Sequence, residues 1–554
     1  MSTSEARSLV ARLSESIRNN REVAAISDLN STPLTYAELA EEIARIHQIF
    51  INSGVLPGDK VAICGRNSAH WALTFISCLT YGAVSVPILN DFKPDSIQHL
   101  IDHSDAKIAF TDDAVWKNLD IATMPQVEGF FDIETGRLRK SLSEKLTSAY
   151  ENIEQLMKEA YPGGVTAENF DKTYYKDSFD DLALINYTSG STGMSKGVML
   201  PYGSLWSNSL FATDNISFYV PGDTMVSILP LAHMFGMLVE LIFPMIKGCH
   251  IIFLGRVPSP KIVLDAFAKY KPKMVVTVPL VIEKIVFNKI FPILDKPLMK
   301  FITKVPGLNK VVYNKICKQM IDGFGGNIIQ MVIGGAALNK AVEEFLLKIK
   351  FPYTVGYGMT ECGPLIAYCR WDIQKQGSCG KIVDRMEARI DSDDPVNKAG
   401  VLWVRGDNVM KGYYKNPEAD EGVFNGEWMN TGDICTLDND GYLFIRGRDK
   451  SMILGPSGQN IYPEEIENKL NRLQFVAESV VVEREGKIVA LVYPDFEAAR
   501  QAKVEREKLD EIMDLNLSVL NRDIPAYSRV ARIELRNEPF EKTPKQSIKR
   551  YLYK

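Results

Sequence analysis

The chain has no Cys-x-x-Cys pair and no matching His-x-x-x-His, and its eight cysteines (Cys64, Cys78, Cys249, Cys317, Cys362, Cys369, Cys379, Cys435) are scattered over 554 residues. That spacing argues against a zinc module or a disulfide framework and fits a reducing cytoplasm. Nor is there an excess of charge of one sign. With 64 basic residues against 69 acidic ones, the net charge of -5 gives no electrostatic reason for nucleic acid as the main partner. The N-terminal Met-Ser-Thr-Ser-Glu-Ala-Arg lacks the apolar core and small-residue cleavage site of a secretory signal, so the chain is expected to stay where it is made. One stretch, Met225 to Ile246, is apolar enough to raise the question of a membrane span. Pro230, His233, Glu240 and Pro244 interrupt it, and the expectation is a buried helix of a large core. Internal repeats and low-complexity tracts are absent.

What is present is ordinary globular material, 46% hydrophobic and 24% charged, sufficient for three or four compact units at roughly 100–200 residues each. Strand-like runs alternate with helix-patterned stretches: Lys60–Cys64, a helix over Ser68 to Tyr81, Ala83–Pro87, then a helix near Pro94 to Ser104. The alternation recurs at Met274–Val278 and Ile328–Ile333. It predicts an α/β fold of parallel sheets with crossover helices, whose ligands sit at the carboxyl ends of the strands. From about 377 to 446 short strands with frequent turn signals predict a small β-rich subdomain. Beyond the charged turn at Arg446–Ser451, strands at Ser479–Val482 and Ile488–Val492 predict a small α+β domain. The expected organisation is a large N-terminal domain over 1–447, with its β-rich part at 377–446, and a small mobile C-terminal domain over 448–554.

The sharpest motif is Tyr187-Thr-Ser-Gly-Ser-Thr-Gly-Met-Ser-Lys-Gly197, preceded by the apolar run Leu182–Ile185. Its glycines let backbone approach a ligand closely, Thr188, Ser189, Ser191 and Thr192 are among its hydroxyl donors, and Lys196 adds positive charge, which together suit a polyphosphate. A Ser/Gly linker would need neither the strand nor the lysine. In a Walker loop Gly-Lys is followed directly by Ser or Thr, whereas Lys196 lies between Ser195 and Gly197, so a P-loop NTPase is disfavoured.

The loop instead resembles the phosphate-binding signature of the adenylate-forming superfamily of acyl- and aryl-CoA synthetases, peptide-synthetase adenylation domains and luciferases. Ser195 stands where that family usually has proline. Further segments resemble the family's motifs in the same order along nearly the whole chain. The resemblance implies that Thr188, Ser189, Gly190, Ser191, Thr192, Gly193 and Lys196 hold ATP phosphates, and that Gly334, Gly335 and Ala336 form the adenine slot. Within Tyr357-Gly358-Met359-Thr360-Glu361 it implies a tyrosine ring against the base, a threonine hydroxyl on the α-phosphate and a magnesium ligand at Glu361. Asp433, in Thr431-Gly-Asp433, would take the ribose hydroxyls, and Arg448 would reach ribose or phosphate. Lys450 would be the hinge about which the small domain turns, and Gly458 would line the pantetheine channel. His233, in Pro230-Leu-Ala-His-Met-Phe-Gly236, would stand beside the carboxylate site.

One departure stands out. Near the C-terminus, Pro539–Arg550 resembles the segment whose lysine bridges the substrate carboxylate and the α-phosphate, but the alignment puts Ser547 at that place. Lys545 or Lys549 is expected to substitute from a neighbouring position. The acid is expected to be a medium- or long-chain fatty acid, because Pro230–His233 and Gln459–Glu465 look most like long-chain fatty acid–CoA ligases. ATP, Mg²⁺ and coenzyme A are the implied cofactor and co-substrates. The alternatives are loading of a carrier-protein thiol and a nucleotide-binding protein that has lost catalysis. The expected location is cytoplasmic, with peripheral contact at the inner membrane face as a further expectation. The Lys-rich apolar stretch from Ile282 to Met320 is expected to form an amphipathic helix pair packed on the protein, with a membrane-surface placement as its alternative.

Overall fold

The computed structural model describes residues 7–188, 195–256, 259–454, 460–543 and 548–553. They divide into two compact units. The first comprises the chain to Thr188 with Lys196–Glu387 and Arg405–Gly422; the second comprises Ala388–Val404 and the chain from Val423 onward.

In the first unit the expected alternation is realised. The largest sheet runs in the order Gly412–Tyr413, Lys196–Pro201, Leu182–Thr188, Val84–Ile88, Lys60–Cys64, Ala106–Thr111, Gly129–Asp132, Leu138–Ser141. Its centre is parallel and its flanks antiparallel, as the pairings of Lys60 with Val84 and of Thr188 with Lys196 show. The strands before the crossovers are mostly apolar and almost wholly buried because helices cover both faces of such a sheet. Ala69–Tyr81, capped by Ser68 and ended by Gly82 at positive φ, is buried from Trp71 to Tyr81. A second parallel sheet joins Met274–Thr277, Gln330–Ile333 and Tyr353–Val355. A four-stranded sheet places His250–Phe253 between Thr224–Ser227 and Ala24–Asp28.

Two expectations need correction. Met225 to Ile246 is not one buried helix. It opens in the strand Thr224–Ser227, turns through Pro230, and becomes helical only from Met234, with a π-helical turn at Met237–Ile242. A buried parallel strand and a buried helix have the same apolar composition, so periodicity cannot separate them over a few residues. Ile282 to Met320 does not form a packed helix pair. Short helical pieces, Pro279–Ile285, Val286–Ile290, Phe291–Leu294 and Pro297–Ile302, are followed by Leu308–Gly323. Pro292 and Pro297 begin helical pieces instead of sitting inside one long helix, where each would remove a backbone donor.

The second unit has an antiparallel sheet built on Gly400–Gly406, Trp428–Leu437 and Leu443–Arg448, and a separate sheet of Val476–Arg484, Lys487–Pro494 and Arg532–Leu535. Helices Pro463–Leu470 and Glu507–Asp523 supply Ile466, Leu470, Met513 and Leu520 to the core over that sheet.

Candidate active site

Three of the sequence motifs of the first unit follow the carboxyl ends of parallel strands. Thr188 ends the strand Leu182–Thr188, Gly334 follows Gln330–Ile333, and Tyr357 follows Tyr353–Val355. The last two strands are neighbours, and their exits are tied by Gly356 N donating to Ile333 O at 2.9 Å, which sets the Gly334–Ala336 turn beside the Tyr357 segment. Open parallel sheets offer their ligand crevice at these ends.

Glu361 is held from several directions. Its backbone carbonyl accepts from Met410 N at 2.8 Å. Asn208, fully buried on the helix Tyr202–Asn215, brackets the turn that follows: its Nδ2 donates to Cys362 O at 3.1 Å and its Oδ1 accepts from Leu365 N at 2.9 Å. Gly358 could carry no side chain, since a Cβ there would lie 2.1 Å from Pro364 O across the antiparallel pair. The Glu361 carboxylate accepts the Tyr413 hydroxyl on Oε1 at 3.0 Å, and Oε2 has no hydrogen-bond partner among the described residues. Burial, and next the nearby Glu361 charge, hold Tyr413 well above the usual phenol range, so it stays a donor. Lys196 Nζ lies 4.6 Å from the centre of the Tyr413 ring, a cation–π distance. Tyr413 pairs with Val198 on the strand that begins at Lys196. The exit of the Ser/Thr/Gly loop, an aromatic ring and a carboxylate thus form one array.

The expected carboxylate-site motif meets the expected adenine turn. A Cβ on Gly334 would lie 3.0 Å from the Phe235 ring, so the absence of a side chain there lets ring and backbone close together. Asn186, buried on the strand that leads into the phosphate loop, donates to Ala232 O at 2.8 Å. His233 is half-buried at the start of the helical turn Met234–Gly236, and its carbonyl accepts from Met237 N at 2.9 Å.

Behind this motif Glu240 lies wholly buried on the π-helical turn. Its Oε2 accepts from Ser227 Oγ at 3.0 Å, Ile228 N at 3.1 Å and Leu229 N at 2.9 Å, while Oε1 has no partner among the described residues. Burial pushes this carboxyl up to about 8 although the three donors act to lower it. An acid whose folded value is raised above 4.5 contributes stability that is complete below that pH and is lost as pH rises toward 8. Glu240→Gln keeps an acceptor without the charge. It is expected to melt at a higher temperature than the parent at pH 8, with the difference shrinking toward pH 5; thermal unfolding across that range would show a pH-independent difference if this account is wrong.

In the second unit the paired strands set Asp433 opposite Arg448, and Arg448 Nε donates to Asp433 Oδ1 at 2.7 Å. Asp433 is buried at the strand surface, with its backbone N donating to Thr431 Oγ1 at 3.1 Å. Arg448 is largely exposed, so a ligand could replace it on the aspartate or be bridged by both. Lys450 falls in the short 3₁₀ turn Asp449–Ser451. Lys549 Nζ donates to Glu541 Oε2 at 3.0 Å, and Lys549 N donates to Glu541 O at 2.8 Å. Ser189, Gly190, Ser191, Thr192, Gly193, Gly458, Lys545 and Ser547 lie outside the described residues.

Sequence reasoning missed Tyr413, Asn208 and the packing of Phe235 on Gly334. Tyr413 and Asn208 reach Glu361 and its turn across 52 and 154 residues, and neither belongs to a motif that would have marked it. No cluster of three or more metal-ligating side chains occurs among the described residues. Glu361 nevertheless fits a magnesium ion that arrives with a polyphosphate, because such ions take one or two protein carboxylates and fill the remaining positions with phosphate and water.

The model of the AMP-binding enzyme family matches residues 13–414, and that of the AMP-binding enzyme C-terminal domain matches 450–553. The long-chain-fatty-acid–CoA ligase FadD15 of Mycobacterium bovis is 28% identical over 572 aligned positions, covering 94% of this chain and 90% of its own. A feruloyl-CoA synthase from Amycolatopsis is 29% identical, covering 79% and 78%. The crystal structure of ATP-bound MatB from Rhodopseudomonas palustris superposes with a TM-score of 0.76 over 99% of this chain and 98% of that one, at 22% identity, which establishes a shared fold.

Proposed function

Because this chain belongs to the AMP-binding enzyme family, we propose that it is an AMP-forming ligase that activates a medium- or long-chain fatty acid as its acyl-adenylate and passes the acyl group to coenzyme A. The observation that carries the reading is the Lys196–Tyr413–Glu361 array at the exit of the Ser/Thr/Gly loop: one cation and one carboxylate with a free oxygen, placed where a polyphosphate chain would enter.

A carboxylate is a poor electrophile and must first become a mixed anhydride. In the proposed first step a carboxylate oxygen attacks the α-phosphorus in line, the new O–P bond forms, and the bond to the bridging oxygen breaks as pyrophosphate leaves. Thr188 and Lys196, with the loop between them, hold the departing phosphates, and Thr360 donates to an α-phosphate oxygen. Glu361 would hold a magnesium ion, which would supply charge neutralisation at the phosphates. Tyr357 and the Gly334–Ala336 turn hold the base, Asp433 and Arg448 the ribose. Most of the rate comes from positioning and charge neutralisation. In the second step the coenzyme A thiolate attacks the acyl carbonyl and AMP leaves. The functional boundary proposed for this step is at 447–450, with Lys450 as hinge and Gly458 in the thiol channel; the start of the C-terminal family match at residue 450 supports it.

The fatty-acyl preference draws on the relatives named for long-chain acids, while the feruloyl relative makes an aromatic acid the proper comparison. Purified protein with Mg²⁺ and ATP is expected to release pyrophosphate in response to palmitate, faster when coenzyme A is present, and more slowly with octanoate, benzoate or ferulate. Palmitate-dependent release that ignores coenzyme A would favour a carrier-protein acceptor. Protein that binds ATP and releases nothing with any acid would sink the ligase reading.

A further inference from the structure

The broken helical stretch from Pro279 to Gly323 buries Ile282, Val286 and Ile290 but leaves several other apolar side chains in solvent. Eight of the twenty-three exposed large hydrophobic residues among those described fall between Val278 and Val311. They include Leu298 and Phe301, 69% and 68% exposed and three residues apart on one short helix, and Leu308 and Val311 with the same spacing on the next. Residues three apart share a helix face, so each of these two helices presents an apolar ridge. Such a concentration is unusual for a surface with no partner.

The charge of the same stretch departs from that of the chain. Residues 279 to 323 carry eight lysines against three acidic residues, in a protein whose net charge is -5. All eight lysines are exposed. Of them only Lys300, with Asp295, and Lys318, with Asp322, form ion pairs among the described residues. The other six are not neutralised by the fold. Among the described residues no helix is long and apolar enough to cross a membrane.

Exposed apolar side chains on adjacent helices, flanked by exposed lysines most of which are unpaired, match the two contributions that hold a protein on a bilayer surface: insertion of apolar groups at the headgroup boundary and attraction to anionic lipid. We propose that the helical stretch Pro279–Gly323 docks the protein on an anionic lipid surface, with Leu298, Phe301, Leu308 and Val311 entering the interface and Lys296, Lys300, Lys304 and Lys310 facing the headgroups. A second copy presenting the same patch would bring like charges together, which favours the lipid over a symmetric dimer. The proposal stands apart from the identity of the acid, since it concerns a surface and not the reaction.

The test is sedimentation of the full-length protein with large vesicles, without added fatty acid. Binding is expected to vesicles containing phosphatidylglycerol, to be at least tenfold weaker to phosphatidylcholine alone, and to fall as salt is raised. Leu298→Ser with Phe301→Ser, and separately Lys296→Ala with Lys300→Ala and Lys304→Ala, are each expected to lower the partition coefficient at least tenfold, while Lys145→Ala on another exposed helix leaves it unchanged. Circular dichroism and the melting temperature show whether each variant is folded as the parent is. Equal partition onto both lipids, or folded variants that bind like the parent, would overturn the proposal. So would a concentration-dependent dimer that the apolar variant abolishes in protein with no affinity for vesicles.

Discussion

Glu361→Gln is expected to release pyrophosphate about 10²–10³-fold more slowly than the parent, the usual consequence of losing one preorganised charge contact at a reacting phosphate. Glutamine keeps a carbonyl to accept the Tyr413 hydroxyl, now 3.0 Å from Glu361 Oε1, and it leaves the bond from Met410 N to the backbone carbonyl in place. The variant should therefore melt with the parent and lose only the negative charge. Its residual rate should need a higher magnesium concentration for half-maximal activity. Tyr413→Phe offers the contrast, because it keeps the carboxylate and the ring beneath Lys196 while removing the donor that orients Glu361. A loss of about ten- to hundredfold is expected there, for a hydrogen bond to a charged carboxylate worth roughly 1.5–3 kcal/mol. If Glu361→Gln, folded like the parent, retained full activity with an unchanged magnesium dependence, Glu361 would not be the metal ligand.

The second large effect concerns the lysine that the C-terminal segment lacks at its expected place. Lys549 was one of two candidates to replace it, and the structure gives a reason to prefer the other. Both its ammonium group and its backbone N–H are engaged by Glu541, and that pair raises its pKa above the ordinary lysine value. The two partners lie on the same C-terminal segment, with Lys542 and Ile548 bridged between them, so a motion of the whole domain would carry the pair together. Lys545→Ala is accordingly expected to slow acyl-adenylate formation by about 10²–10³. Thioester formation from supplied acyl-AMP and coenzyme A should change little. Lys549→Ala should leave the first step within a few-fold of the parent. The two half-reactions, followed separately by pyrophosphate and thioester release, decide between them. A large loss in Lys549→Ala with none in Lys545→Ala would reverse the assignment. If neither variant slows adenylation, neither lysine replaces the one missing at Ser547, and Ser547→Lys becomes the informative variant, with a faster first step expected.

Lys60–Cys64, Ala69–Tyr81 and Pro94–His103 fell where the sequence pattern put them, to within a residue or so. Strand and helix alternation is written locally, and so are the caps: Ser68 accepts from Trp71 N at one end of its helix and Gly82 closes the other. The order of the motifs, from Tyr187–Gly197 to Arg446–Lys450, was likewise legible, and with it the family. Where local signals were equal, the sequence was silent. The apolar run after Met225 read as one helix because a buried strand in a parallel sheet has the same composition, and only its pairing with His250–Phe253 made Thr224–Ser227 a strand. For Ile282 to Met320, amphipathic composition suggested a partner helix, and the tertiary arrangement supplied none for Leu298 or Phe301.

By itself, then, the sequence determined the elements, the glycine and hydroxyl content of the phosphate loop, and the chemical types available to a nucleotide. Each of these depends on residues within a few positions of one another. Tertiary structure alone decided that Tyr413 would stand between Lys196 and Glu361, that Asn208 would bracket the turn after Glu361, and that Gly334 would close on Phe235. Those contacts join segments far apart in the chain, and they form only after sheet pairing has brought the loops together, so no local pattern could encode them.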